Sequence, residues 1–264
     1  TQERLEWLFR ESIEGVEALI ATSADPFQLL RSPRKWWPVL RTACCALPKK
    51  VKSIPAEWRE IDPNQLPGVR SWPLDGGRFW TLPQVYSEDP DAPGWRYSNL
   101  GMYRVQVSGN QFRDGKVGMH YQLQRGLGIH HQAAQRRGEP LRVSVFLGGH
   151  PAHAIAAIMP LPERLPEIAF AGALAQRRFR YIHYNGSLLS ADADFILTGT
   201  IDPHELLPEG PFGDHIGYYS LQHPMPVMRI EKAWARRDAV FPFTVVARPP
   251  QEDTLFGSFI HRLT

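Results

Sequence analysis

The chain has 264 residues, of which 43% are hydrophobic and 22% are charged. This composition is typical of a globular protein with a sizeable buried core. No apolar run approaches the roughly 20 residues that span a bilayer, so we predict a cytoplasmic protein without a transmembrane or secretory segment. The formal net charge of +3 lies in short basic clusters, which argues against nucleic-acid binding. The adjacent Cys44 and Cys45 fit a reducing compartment.

The first 68 residues predict a helical, proline-rich region that wraps around a second domain. Apolar residues recur at three- and four-residue intervals over 1–21, which predicts an amphipathic helix. Prolines then interrupt the chain repeatedly, so only short helices are expected, near 28–30 and over 36–46. The helical pattern begins at residue 1 without an initiator methionine, and we therefore interpret 1–68 as the remnant of an N-terminal region.

Residues 69–264 predict a β-rich domain. Period-two alternation predicts strands at 103–107, 117–123, 141–147, 194–201, 226–233 and 240–247. Helices are predicted at 152–158 and 167–174. Because regular crossover helices do not separate the strands, the pattern favours an α+β fold with a curled or barrel-like sheet over a doubly wound one.

The segment 209–214 carries the strongest chemical signal. Glu209 and Asp214 lie five residues apart across a turn that contains Gly210, Pro211 and Gly213. Proline and glycine together allow a rigid, sharply bent loop that aims both acids into one cleft. If a cation holds one acid and apolar rings surround the other, their pKa values separate into a fixed anion and a proton donor with a raised pKa.

Arg104 is the candidate cation for this loop. A guanidinium can hold Glu209 and a substrate carboxylate at the same time, which a lysine does less well. Taken alone, however, Asn99 and Arg104 also fit a turn residue and a surface arginine.

Two further patterns point to phosphate and metal chemistry. Arg125 with Gly126 and Gly128 could place backbone amides and a guanidinium against a phosphate. Oxygen donors on Asn99, Gln124 and Glu167 would suit Mg²⁺ or Mn²⁺, although a helix start after Pro166 also explains Glu167. His130-His131 has no HExxH or CxxC partner, so a helix start or solvent contact is favoured over a zinc site.

Taken together, these segments resemble the UbiD family of decarboxylases, which use prenylated flavin mononucleotide (prenylated FMN). The resemblance rests on the joint order of these segments: 72–77, 86–90, 99–104, 119–131, 160–163, 170–172, 199–203, 209–214, 217–219 and 248–250. It implies a split β-barrel of the flavin-reductase-like FMN-binding type over 69–264, the catalytic domain, in a family whose members are typically much longer.

The resemblance also implies roles for individual residues. The catalytic trio would be Arg104, Glu209 and Asp214. The residues lining prenylated FMN would be Met102, Tyr103, Arg104, His120, Tyr121, Gln122, Arg125 and Gly126. The metal ligands would be Asn99, Gln124 and Glu167. Gln124 departs from the family's usual histidine, and a neutral amide oxygen favours Mg²⁺ or Mn²⁺; K⁺ is a further candidate ion.

The implied function is the reversible, non-oxidative decarboxylation of an aromatic or α,β-unsaturated carboxylic acid. The first choice of substrate is a 4-hydroxybenzoate-type acid of quinone biosynthesis, with or without a polyprenyl chain. A flavin prenyltransferase would supply the cofactor, and we expect the full-length chain to form a homo-oligomer. Two alternatives stay open: an inactive flavin-binding subunit or scaffold, and a metal-dependent hydrolase that uses Glu167, Glu209 and Asp214.

Overall fold

The computed structural model describes residues 2–24, 36–162, 165–246 and 252–263. The helices are α1 (Gln2–Ala24), α2 (Trp36–Ala46), α3 (Leu127–Arg137), α4 (Pro151–Ala156), α5 (Glu167–Leu174) and α6 (Glu252–Leu263). The strands are β1 (Lys49–Lys50), β2 (Trp58–Glu60), β3 (Phe79–Trp80), β4 (Gln84–Glu88), β5 (Ser98–Met102), β6 (Val105–Gln106), β7 (Lys116–Met119), β8 (Leu141–Leu147), β9 (Arg180–Tyr184), β10 (Ser187–Ser190), β11 (Phe195–Glu209), β12 (Phe212–Gly213), β13 (Tyr219–Ser220) and β14 (His223–Arg236). None of the described helices is both long and apolar enough to cross a bilayer.

A curled antiparallel sheet dominates the described part of the chain. Its strand order is β3-β6-β7-β14-β11-β8-β4-β5, and β2 also pairs with β14. The long strands β11 and β14 pair with register shifts at Thr198/Gly199 and between Ile201 and Leu206. Such irregularities bend a strand and increase its twist, which curls the sheet into a half-barrel. The predicted α+β class is confirmed at this level, while the flavin-reductase-like split barrel stays a prediction.

Apolar side chains on both faces of the sheet form two cores. The inner core contains Trp80, Met119 and Met228, all at most 1% exposed. The outer core joins α1, α4, α5 and α6 to the opposite face, where Phe9 of α1 packs against Phe259 of α6 with ring centroids 5.5 Å apart. Burial on both faces explains why β8 is an almost continuous apolar run.

Most of the predicted elements are confirmed, with shifted ends. Helices form over 2–24 and 36–46, and the strand predicted at 141–147 matches β8. The strand predicted at 240–247 is wrong over 240–246, where Pro242 lacks an N–H and Thr244 donates its backbone N–H to the Thr81 side chain instead of a ladder. Helix α6 was not predicted, and for α3 only a helix start at His130-His131 was considered. The predicted helix at 28–30 lies outside the described residues.

The N-terminal segment contributes one strand to each of two sheets: the large sheet and a small sheet of order β1-β9-β10. Strand β1 pairs in parallel with β9, and β2 pairs with the end of β14 through Trp58, Arg59 and Glu60. The division into 1–68 and 69–264 stays a prediction.

Candidate active site

A buried ion pair joins Arg104 to Glu209. Arg104 lies in the two-residue link between β5 and β6, and Glu209 is the last residue of β11. Nε of Arg104 donates to Oε1 of Glu209 at 2.9 Å and Nη2 donates to Oε2 at 3.0 Å. The Glu209 side chain is fully buried and that of Arg104 is 10% exposed. This two-pronged geometry fixes the plane of the guanidinium.

His120 and Ser220 complete the contacts of this pair. Nη2 of Arg104 also donates to Oγ of Ser220 at 3.1 Å, which uses its second hydrogen. Nδ1 of His120 lies 3.1 Å from Nη2 of Arg104 and 3.1 Å from Oε2 of Glu209. Because both Nη2 hydrogens have acceptors, Nδ1 carries a hydrogen and donates it to Glu209. Burial alone would raise the pKa of Glu209, but hydrogen bonds from His120 and Arg104 outweigh it and hold that pKa below its ordinary value.

Asp214 approaches the same guanidinium from the turn between β12 and β13. Its Oδ2 lies 3.5 Å from Nη1 of Arg104, and the ring of Phe212 lies 4.6 Å from Cζ of Arg104. The structure therefore brings the three predicted catalytic residues together around one cation. Phe212 packs on Arg104, which adds a cation–π contact to the ion pairs.

The raised pKa that a proton donor in this loop would have is not found at Asp214. Burial raises the pKa of the carboxyl, but His215 and Arg104 outweigh it and hold the pKa below its ordinary value. Tyr218 and Tyr219, whose rings could have surrounded the acid, are 75% and 39% exposed. Both acids of the loop are therefore favoured as anions.

Buried polar groups brace the 209–214 loop. Gly210 N–H donates to the side chain of Gln106 at 2.8 Å, and Gly213 N–H donates to Oδ1 of Asp75 at 2.9 Å. The other oxygen of Asp75 accepts the backbone N–H groups of Ser71 and Trp72. A loop held by buried hydrogen bonds keeps its acids in position.

The described part of the chain also contains a cleft of about 890 Å³. Its volume falls within the ~300–1,000 Å³ range of small-molecule sites. Residues from β5, from the turn before α3 and from the start of α5 line it, and they include predicted cofactor and metal residues: Asn99, Met102, Tyr103, Gln124, Arg125, Gly126 and Glu167. Met102 and Tyr103 line the cleft and precede Arg104 in the chain, whereas Arg104, Glu209 and Asp214 are not among the lining residues.

Gly126 lies tightly against two other residues that line the cleft. The amide of Asn99 donates to the Tyr103 hydroxyl at 3.3 Å, and Leu127 N–H donates to the same hydroxyl. A Cβ on Gly126 would overlap Oδ1 of Asn99 and the Tyr103 hydroxyl, and the φ of Gly126 is +49°. Only glycine fits this position, and the turn therefore lies tightly against Asn99 and Tyr103.

The predicted metal ligands include buried and exposed groups. Asn99 is 9% exposed, and Oε2 of Glu167 accepts Leu100 N–H at 3.0 Å. Burial raises the pKa of Glu167, and a bound cation would offset that cost of burying its charge. Gln124 is exposed at the edge of the cleft. This set of oxygen donors fits a hard divalent ion.

The other predicted cofactor residues occupy different surroundings. Tyr121 is buried behind Tyr103 with ring centroids 6.0 Å apart, and its hydroxyl lies 2.8 Å from Nδ1 of His131. Gln122 is exposed and does not line the cleft. Their contact with a cofactor stays a prediction.

The two adjacent histidines have structural partners. His130 lies in α3 with Nδ1 2.8 Å from the Ser87 hydroxyl, and His131 contacts Tyr121. Within the part of the chain that the structure describes, no group of three or more His, Cys, Asp or Glu side chains could hold a metal ion.

Residues 46–249 match the family model described as UbiD, 3-octaprenyl-4-hydroxybenzoate carboxy-lyase Rift-related domain. The match covers most of the chain. The chain belongs to the UbiD family. A UbiD relative from Chlamydia pneumoniae, described as a subunit of 4-hydroxybenzoate decarboxylase, is 39% identical over 263 residues, which are 98% of this chain and 44% of the relative.

Two solved UbiD-class structures share the fold. One is an evolved dimeric form of HmfF from Pelotomaculum thermopropionicum, in complex with prFMN, with a TM-score of 0.78 at 22% identity. The match covers 100% of this chain and 57% of the HmfF chain. The other is vanillic acid decarboxylase from Sedimentibacter hydroxybenzoicus, in closed form, with a TM-score of 0.73 at 24% identity. The match covers 82% of this chain and 48% of the decarboxylase chain. The UbiD chain described here spans about half the length of the relatives it matches.

Sequence reasoning missed three residues of this UbiD site. Ser220 and His215 touch Arg104 and Asp214, and Asp75 holds the loop. Asp75 lies within the 72–77 segment of the family resemblance, and this segment could have indicated it. Nothing in the sequence pattern distinguishes Ser220 from other surface serines.

Proposed function

We propose that this chain forms the catalytic core of a prenylated-FMN-dependent decarboxylase for aromatic or α,β-unsaturated carboxylic acids. The observation that supports it most is the Arg104 guanidinium, held in plane by buried Glu209, with Nη1 beside Asp214. A guanidinium that turns Nη1 toward an acid can hold a substrate carboxylate while that acid protonates the neighbouring carbon.

Prenylated FMN supplies the electron sink that an sp² carbon needs when it loses CO₂. We propose that Met102, Tyr103, Arg125 and Gly126 hold the flavin along the cleft, with His120, Tyr121 and Gln122 nearby. Asn99, Gln124 and Glu167 would bind Mn²⁺ or Mg²⁺, with K⁺ as a further candidate, against the flavin phosphate. A flavin-reductase-like split barrel over 69–264 is part of this proposal.

The chain's own residues divide the work. Arg104 orients the substrate carboxylate through Nη1, which is not used by Glu209. Glu209 holds the guanidinium in position and balances its charge. Asp214 delivers a proton to the carbon that has lost CO₂, and it lies 3.5 Å from Nη1, within reach of a substrate bound there.

The proposed substrate is a 4-hydroxybenzoate-type acid, with or without a polyprenyl chain, in quinone biosynthesis. The description of the Chlamydia pneumoniae relative supports this substrate class. We further propose a flavin prenyltransferase as cofactor supplier, a homo-oligomer of the full-length chain, and a cytoplasmic location.

The experiment is decarboxylation in D₂O by the full-length protein, coexpressed with a flavin prenyltransferase, and by its Asp214→Asn variant. The variant should retain flavin absorbance and lose turnover and deuteration of the product, because an amide cannot deliver the proton. Full activity of Asp214→Asn would contradict the assignment. If the wild type binds flavin but releases no CO₂, the scaffold alternative is favoured. If it neither binds flavin nor releases CO₂, the hydrolase alternative is favoured.

A further inference from the structure

Asp214 makes two contacts with the residue that follows it. Its Oδ1 accepts the backbone N–H of His215 at 2.7 Å and lies 2.6 Å from Nδ1 of the same residue. Its Oδ2 lies 3.5 Å from Nη1 of Arg104. One oxygen of the proposed acid thus faces the substrate-binding cation, and the other faces an imidazole.

This environment opposes storage of a proton on Asp214 itself. An acid that protonates carbon must regain its proton in every turnover. Burial raises the pKa of Asp214, but the donors of His215 and the charge of Arg104 outweigh burial and lower it, so the group is mostly a carboxylate at neutral pH. A neighbouring group must therefore supply the proton.

The other charged and titratable groups around Asp214 are unsuited to this task. Arg104, from the β5–β6 link, does not release its protons in proteins. Glu209, at the end of β11, is held as an anion, and the Nδ1 hydrogen of His120 is directed at it. The hydroxyl of Tyr219, on β13, is turned toward Leu74, whose backbone N–H it accepts.

His215 has the position that a proton carrier needs. Its side chain is 63% exposed, whereas that of Asp214 is 33% exposed, so it links solvent to the half-buried acid. Histidine exchanges protons near neutral pH. The 2.6 Å separation of Nδ1 and Oδ1 is short enough for direct transfer.

We propose that His215 loads Asp214 with the proton that decarboxylation consumes, an inference that rests on the proposed function. The imidazolium Nδ1–H bond breaks as Oδ1 of Asp214 takes the proton. Asp214 then gives that proton to the electron pair left on the substrate carbon after CO₂ departs, and returns to a carboxylate. The neutral imidazole takes a new proton from water. His215 acts through Asp214 and is a positioning residue for it.

The test compares His215→Asn and His215→Ala in the full-length, flavin-loaded protein. The asparagine amide still donates to Asp214 but releases no proton, so a purely structural role survives in His215→Asn. We expect turnover to fall at least about tenfold in both variants, with flavin absorbance unchanged. The ratio of variant to wild-type turnover should fall as pH rises through the range in which a histidine is still protonated but the Asp214 carboxyl of the variants is ionised, because Asp214 alone must then hold the proton. Added imidazole should restore turnover in His215→Ala.

A matched control is His183→Asn, an exposed histidine on β9 in the small sheet, whose turnover should equal that of the wild type. A readout without activity is the ¹³C titration of the Asp214 carboxyl, which should shift to higher pH in His215→Ala because a donor is lost. An unshifted titration would overturn the proposal.

The outcomes separate this proposal from the proposed function. If the wild type releases no CO₂ from any acid, the proposed function fails and this inference fails with it. If the wild type is active and His215→Asn matches it at every pH, the inference alone is overturned.

Discussion

At the scale of single residues, a buried charge pair holds the site together. Arg104 and Glu209 are almost completely removed from solvent, and each satisfies the other through two hydrogen bonds. Removal of one partner of such a pair leaves an uncompensated buried charge, which costs more than the intact pair contributes.

Glu209→Gln should therefore lower the free energy of unfolding by about 3–5 kcal/mol. The reason is that the guanidinium of Arg104 stays buried without a counter-charge. Urea denaturation would measure the change. The matched control is Glu231→Gln, which breaks the half-exposed pair of Glu231 with Arg142 and should stay within ~1 kcal/mol of the wild type. Equal effects in both variants would contradict the importance of burial.

The same pair predicts a dependence of stability on pH. The pKa of Glu209 is lower in the folded protein than its ordinary value of 4.5. Its stabilising contribution is therefore fully present above pH 4.5 and is lost as the pH falls through the lower, folded pKa. Denaturation curves over this acid range should show a steeper loss of stability in the wild type than in Glu209→Gln. Parallel curves would contradict a depressed pKa.

At the scale of elements, the turn between β7 and α3 is proposed to carry the cofactor. Gly126 combines a φ of +49° with close approach to Asn99 and Tyr103, whereas Gly138 at the end of α3 has a φ of +66° and open space around it. Substitution of Gly138 would therefore cause backbone strain alone, whereas substitution of Gly126 would cause both backbone strain and steric overlap.

Gly126→Ala should lose flavin, because the new methyl group displaces Asn99 and Tyr103. Gly138→Ala should keep flavin at a cost of about 1 kcal/mol from the left-handed backbone alone. Flavin absorbance per protein, with unfolding curves as a check, measures both. Retention of flavin by Gly126→Ala would show that the turn does not hold the cofactor.

Proposed metal ligands at the start of α5 and on strand β5 lead us to expect that Mn²⁺ stabilises the protein. Mn²⁺ at a hundredfold excess over its dissociation constant should stabilise the wild type by about 2.7 kcal/mol. Glu167→Gln should lose most of this gain because its buried carboxylate is a proposed ligand, while Glu139→Gln, which changes a surface carboxylate after α3, should keep it. Thermal unfolding with and without Mn²⁺ checks the expectation. An equal gain in Glu167→Gln would remove it from the ligand set.

At the scale of the whole molecule, local patterns predicted elements well and their assembly poorly. The apolar run of β8 and the stripe of α1 report burial directly, so their positions followed from the sequence. The alternation of apolar and polar residues at 240–246 is equally clear, yet that segment is held by individual hydrogen bonds, such as the one from Thr244 to Thr81, and not by strand pairing. Period two reports which side chains alternate, not whether a partner strand exists.

The site shows the same limit. The two acids at 209–214 could be recognised from their spacing, but Arg104 lies 105 positions from Glu209 and meets it only because β5, β6 and β11 belong to one sheet. The family resemblance supplied that partner. The lowered pKa of Asp214 could not be predicted, since it depends on where the His215 side chain and the Arg104 guanidinium lie.

The most direct test of the central claim is CO₂ release from a panel of aromatic and α,β-unsaturated acids by the full-length protein loaded with prenylated FMN. The proposed mechanism predicts release from at least one acid by the wild type. It also predicts that Arg104→Lys, which keeps the charge but lacks the planar fork, retains flavin and loses turnover. Undiminished release by Arg104→Lys, or no release from any acid by a flavin-loaded wild type, would contradict it.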